Sequence, residues 1–90
     1  MKETVLIAGL GLIGGSLALN MKEHDNMRII GYDANKSTLE YCKMNGITAE
    51  TYDNFAEAVK QADICILAAP VSVTVDLIKE LDTIALNKDI

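Results

Sequence analysis

Two cysteines, one histidine and no tryptophan are what this 90-residue sequence brings to metal, redox and stacking chemistry, and each shortage closes a class of function. Cys42 and Cys65 stand far apart with no histidine at metal-ligand spacing, so no metal site is expected. A disulfide between them is disfavoured in a reducing cytosol. Cys65 sits inside an apolar run and reads as a small core residue, not a nucleophile. The single histidine, His24, falls in the polar stretch Lys22-Glu23-His24-Asp25-Asn26 at the end of a predicted helix. There it reads as a solvated side chain that favours the helix dipole, not as a catalytic group. Positive charge is scarce too: eight Lys and Arg against thirteen Asp and Glu leave a net charge of −5. With no basic stripe interleaved with aromatics, nucleic acid is not an expected partner. No apolar run reaches the roughly 18 residues of a membrane span, and no basic, apolar leader with a small-residue cleavage site opens the chain. The expectation is therefore no membrane partner and a cytoplasmic location.

What is present is an alternation of short apolar runs and helical patterns, with no linker between them. A chain this short is one domain at most, with little stability to spare. Val5-Leu6-Ile7-Ala8 is continuously apolar, as expected of a strand covered on both faces in a parallel sheet. From Leu12 to about Glu23 the spacing predicts a helix with Ile13, Leu17 and Met21 in one apolar line. A second strand is predicted over Arg28 to Tyr32, and a second helix over Lys36 to Asn45, with Leu39 and Cys42 on one face and Gly46 as its stop. A brief third strand is expected near Ile47 to Glu50. Asp53 or Asn54 is placed to cap a short helix through about Lys60. The fourth strand lies in Ala62 to Ala69, around Ile64-Cys65-Ile66-Leu67. Pro70 then suits a turn or helix start, before a last helix from Ser72 to about Leu81 with Val73, Leu77 and Leu81 on one side. Asn87-Lys88-Asp89 reads as a turn and Ile90 as the first residue of a further strand. Strands alternating with helices in this way indicate an α/β, doubly wound parallel sheet, with right-handed crossovers giving strand order 3-2-1-4.

The chemistry is concentrated at Gly9-Leu10-Gly11-Leu12-Ile13-Gly14, a G-x-G-x-x-G that follows a predicted strand and opens a predicted helix. Gly9 permits the tight turn, Gly11 removes a side chain where the backbone must approach a pyrophosphate, and Gly14 lets the helix lie against the strand. The amides of the first helical turn then face the anion, aided by the helix dipole. Gly15 has no part in the motif and is assigned to packing. Ser16 could reach a phosphate or bond back to a helical carbonyl. Asp33, nineteen residues after Gly14, ends the second strand. A carboxylate there accepts hydrogen bonds from the adenosine ribose hydroxyls and repels a 2′-phosphate, which points to NAD over NADP. The plainer role for Asp33 is a cap for the helix that starts near Lys36, and the two roles are compatible. Lys36 is the only cation nearby in sequence. Ala68-Ala69-Pro70-Val71 closes the fourth strand at the carboxyl edge of the sheet, where such folds bind ligands, and its small residues leave room for the nicotinamide-side ribose.

With Ile30-Gly31-Tyr32-Asp33, and with Leu12-Ile13-Gly14-Gly15-Ser16-Leu17 as the particular form of the glycine loop, the sequence resembles the start of the prephenate dehydrogenase family. The likeness runs the length of the chain, and arogenate dehydrogenases share it. Gly9, Gly11, Gly14 and Asp33 match that family's dinucleotide motif. The resemblance implies a whole enzyme, a homodimer, that oxidises prephenate with NAD and releases CO₂ to give 4-hydroxyphenylpyruvate for tyrosine synthesis. It also implies that the family's serine, its His-Pro segment and its substrate-binding arginine come after Ile90. Residues 1–90 are thus expected to be a partial dinucleotide-binding domain with no catalytic residue of its own, inactive alone. With the first strand starting directly after Met1, no fused amino-terminal mutase domain is expected. Two other readings compete: an NAD-dependent dehydrogenase of 3-hydroxyacid type, and a non-catalytic NAD-sensing module built on the same loop.

Overall fold

The computed structural model describes residues 3–21 and 27–84. Eight elements alternate along the chain: β1 (Glu3–Ala8), α1 (Leu12–Met21), β2 (Met27–Tyr32), α2 (Lys36–Met44), β3 (Glu50–Tyr52), α3 (Phe55–Gln61), β4 (Ile64–Leu67) and α4 (Val71–Leu81). The strands form one parallel sheet in the order β3-β2-β1-β4, the doubly wound order expected of the alternation. His24, the 87–89 turn and Ile90 lie outside the described residues.

The pleat explains why β1 reads as an unbroken apolar run. Successive side chains of a strand point to opposite faces, and here both faces are covered. Val5 and Ile7 join Ile29, Ala18, Leu39 and Cys42 beneath α1 and α2. Leu6 and Ala8 join Ile30, Phe55, Ala58, Val59 and Leu77 beneath α3 and α4. Val5, Leu6 and Ile7 are fully buried, each contributing roughly 1.5–3 kcal/mol. At the entry to β4 the Asp63 side chain accepts from the Thr4 amide at 2.8 Å, while the Asp63 amide donates to the Thr4 carbonyl at 2.8 Å. This pair fixes the β1–β4 register.

Two sequence expectations shift. The third strand begins at Glu50, not Ile47. Gly46, at φ +63°, turns the chain out of α2, and the Ile47 amide donates back to the Cys42 carbonyl at 3.0 Å while Gly46 donates to Lys43. That pairing is a Schellman stop, whose companion is a hydrophobic contact from the residue after the glycine. Ile47 therefore plugs the core at the helix end, and the ladder starts only when Ala49 donates to Ile29. In α1, Ile13 does not join the apolar line: it is 77% exposed, and the helix buries Gly14 and Ala18 instead. Leu17 and Met21 pack on the core as expected. The reason is depth. A β carbon on Gly14 would run into the Gly9 carbonyl oxygen, so the helix lies so close to the strand end that only small residues fit beneath it.

The α3 cap follows the sequence, with Asn54 accepting from Glu57; at the start of α2 it is Asn35, not Asp33, that accepts from the Ser37 and Thr38 amides. The outer edge of β3 is polar: Arg28 pairs with Glu50, which also accepts from the Tyr52 hydroxyl at 2.7 Å. Thr48 is buried beside Gly31, and its hydroxyl has no hydrogen-bond partner among the described residues.

Candidate dinucleotide-binding site

The carboxyl ends of β1, β2 and β4 meet at one edge of the sheet, and the loops leaving them enclose a cleft of about 200 Å³. Its walls are Gly9 and Gly11 from the glycine loop, Tyr32, Asp33 and Ala34 after β2, Ala68, Ala69 and Pro70 after β4, and Val73 and Leu77 from α4. The structure therefore brings together Gly9, Gly11, Asp33, Ala68, Ala69 and Pro70, six of the residues singled out from sequence. It leaves Leu10, Leu12, Ile13, Gly14 and Val71 off the cleft wall.

Each glycine of the motif has its own reason. Gly9 takes φ +102°, and a β carbon there would lie 2.7 Å from the Ala69 nitrogen and 2.8 Å from the Ala68 carbonyl carbon. Its smallness serves the joint between β1 and the β4 loop. Gly14 is compelled by the Gly9 carbonyl, as above. Gly11 is different: a β carbon there meets nothing within 4 Å, and its backbone does not take a positive φ. No contact among the described residues requires a glycine at this position. Gly15 also lacks the packing role expected of it, since its β carbon would meet only the Leu10 oxygen at 3.6 Å.

The first amide to bond back along α1 is that of Gly15, onto the Gly11 carbonyl at 2.8 Å. The amides of Leu12, Ile13 and Gly14 come before it and have no intrahelical acceptor, the ordinary condition of a helix start. The side chains of Leu12 and Ile13 are 90% and 77% exposed, so neither contributes to the core.

Asp33 is held by two backbone donors. Oδ2 accepts from the Leu10 amide and Oδ1 from the Asn35 amide, each at 2.9 Å. The helix cap anticipated for it belongs to Asn35. A carboxylate offers about four acceptor positions, so Asp33 keeps capacity on both oxygens while its orientation is fixed. Lys36, the nearest cation in sequence, lines a different groove with Glu40, Lys43 and Asp53. Among the described residues no Lys or Arg lines the cleft.

Tyr32, Ala34, Val73 and Leu77 are wall residues that the sequence did not single out. Tyr32 stacks its ring at a tilt on Phe55, with centroids 5.3 Å apart. Burial, and then the carboxylates of Glu80, Asp33 and Asp53, raise its hydroxyl pKa, keeping it neutral. Val73 and Leu77 were legible only as an apolar line. Leu77 is buried, whereas Val73 is 40% exposed and faces the cleft. Pro70 occupies the cap position of α4 without a side-chain cap, and the Thr74 hydroxyl donates to the Ala69 carbonyl at 2.9 Å, tying the loop to the helix.

Residues 17–90 match the prephenate dehydrogenase nucleotide-binding domain family. The chain belongs to that family. The matched region begins after the glycine motif and so does not depend on it. A prephenate dehydrogenase of Bacillus subtilis (strain 168) is 43% identical over 82 residues, 90% of this chain and 22% of that protein. Among solved structures, a prephenate dehydrogenase from A. aeolicus in complex with hydroxyphenyl propionate and NAD+ superposes with a TM-score of 0.83 at 29% identity. That superposition covers 93% of this chain and 30% of the other. An arogenate dehydrogenase from Synechocystis gives 0.79 at 26% identity, over 87% of this chain and 27% of its own. The chain thus spans less than a third of the length of these family members.

Proposed function

We propose that this cleft holds the adenosine end of NAD, with the pyrophosphate lying over Gly11 at the start of α1. The observation that carries this reading is Gly11, whose missing side chain answers to nothing in the protein. A cleft of about 200 Å³ is smaller than the roughly 300–1,000 Å³ of pockets that enclose a whole drug-sized ligand, which suits a nucleoside better than a complete dinucleotide. Asp33 accepts from the ribose hydroxyls. With a carboxylate on the wall and no cation, a 2′-phosphate meets repulsion and no compensating partner. Leu12, Ile13 and Gly14 contribute their amides, and Ala68 to Val71 carry the ligand on toward the nicotinamide side.

NAD supplies the hydride acceptor when bound. We read residues 1–90 as part of a dinucleotide-binding domain. The whole protein then oxidises and decarboxylates prephenate in the cytoplasm, as a homodimer, with its catalytic groups outside this chain. Support comes from the family match and from relatives carrying that name. Arogenate is the competing substrate, and a side-by-side turnover assay of the full-length protein separates the two. For the cofactor, the test is Asp33→Ala. Losing hydrogen bonds to a charged group costs about 1.5–3 kcal/mol, roughly ten- to a hundred-fold in NAD affinity. NADP should lose much less, because a repulsive charge leaves as well. Equal losses for both cofactors would remove Asp33 from the ribose.

A further inference from the structure

We propose that Leu10 and Gly31 form a positioning pair that aims Asp33 at the cofactor, an inference that rests on the NAD reading above. Leu10 is the variable residue between the first two motif glycines, a place where side chains ordinarily need no special explanation. Here it is 4% exposed and packed among Leu39, Cys42 and Ile47 on the α2 side of the sheet. Its backbone amide holds Asp33 Oδ2 at 2.9 Å. One residue therefore has its side chain locked in the core and its N–H on the carboxylate that discriminates cofactors.

The lock depends on Gly31, two residues before Asp33 on β2. A β carbon at Gly31 would fall 2.6 Å and 3.0 Å from the two terminal methyls of Leu10, and 3.1 Å from the Thr48 methyl. Both Leu10 methyls stand in the way, so the end of this side chain must move to admit a methyl at position 31. It has a destination in the open apolar hollow of about 320 Å³ lined by Leu12, Leu19, Tyr41 and Ile47. Gly31→Ala should therefore still fold, with Leu10 swung outward and its amide drawn off Asp33. Asp33 would then be tied by Asn35 alone and free to turn from the ribose.

The readout is cofactor discrimination, because general destabilisation weakens NAD and NADP together and leaves their ratio unchanged. In the full-length protein, Gly31→Ala should lower the ratio of NAD to NADP affinity by about ten-fold, the worth of one hydrogen bond to a charged group. The Leu10 amide should exchange with solvent faster in Gly31→Ala than in the unaltered protein. If Gly31→Ala does not fold, Leu10→Ala removes the same contact from the other side and should lower the ratio alone. An unchanged ratio in a folded variant overturns the pairing and leaves the NAD site standing. An unaltered protein that does not prefer NAD overturns the site reading itself.

Discussion

Gly11→Ala separates packing from binding more sharply than any other change in the glycine loop. The added methyl meets no protein atom within 4 Å, and the residue does not take the left-handed conformation that penalises a side chain. On stability the substitution should be neutral or slightly favourable, since replacing a glycine in a compatible conformation gains about 0.4–1 kcal/mol through the unfolded chain. Binding is another matter. The methyl projects where a pyrophosphate must come within hydrogen-bond distance of the α1 amides. Pushing the anion away forfeits at least one charge-assisted bond, about 1.5–3 kcal/mol, so NAD should weaken roughly ten- to a hundred-fold. Gly14→Ala is the internal control with the opposite origin. Its methyl collides with the Gly9 carbonyl, an overpacking that costs about 1–3 kcal/mol and lowers the unfolding midpoint before any ligand is added. Denaturant titration and NAD titration on both variants give the comparison. A Gly11→Ala protein that binds NAD as tightly as the original would refute the claim that a ligand approaches the loop there.

Three further outcomes follow from the core and the sheet edge. Thr48→Val removes a buried hydroxyl that has no partner while keeping the shape, so it should raise stability by about 1 kcal/mol in a denaturant titration; a loss would mean the hydroxyl is bonded in solution. Burial pushes the Cys65 thiol up to about 11 from an ordinary 9.0. Burial disfavours the charged thiolate, so alkylation at pH 8 should run about a hundred-fold slower than at a free thiol, and peptide mapping that finds Cys65 labelled at the ordinary rate refutes that burial. Among the described residues β4 pairs only with β1, and α4 leaves Val71, Val75 and Ile78 exposed beside it. The 90-residue chain alone should therefore self-associate through this edge; sedimentation showing a strict monomer across a concentration series would count against the association.

The sequence made the layers legible because the strands are covered on both faces, which writes Val5 to Ala8, Ile29-Ile30 and Ile64 to Leu67 as unbroken apolar runs between helical patterns. Asp33 and the glycines were legible because their chemistry needs particular residue types at particular spacing. What escaped was depth. Periodicity says that Ile13, Leu17 and Met21 share a helix face, but not that Gly14 draws α1 in until Ile13 is lifted off the core. It treats Ile47 as a strand residue because nothing in composition shows an apolar side chain spent on closing a helix. The cleft walls contributed by Tyr32, Ala34 and Val73 were hidden for a related reason: their part depends on which loops meet, a property of topology. The hold of the Leu10 amide on Asp33 left no trace in the sequence at all, because any residue but proline carries that N–H.

The six positions of the loop differ in how they can drift over generations. A side chain at Gly9 would meet the Ala68–Ala69 backbone and one at Gly14 the Gly9 carbonyl, and neither change can be rescued by a smaller neighbouring side chain, since the obstacle to each is main chain. Leu10 and Gly31 obstruct each other through side-chain atoms, so they can change together, a bulkier residue on the strand matched by a smaller one in the loop. Leu12 and Ile13 touch so little of this domain that its folding places almost no demand on them. Selection acting there must come from whatever lies over the loop in the working protein. A deep mutational scan scored separately for abundance and for NAD binding should divide the motif along these lines, with Gly11 alone tolerant in the first score and intolerant in the second.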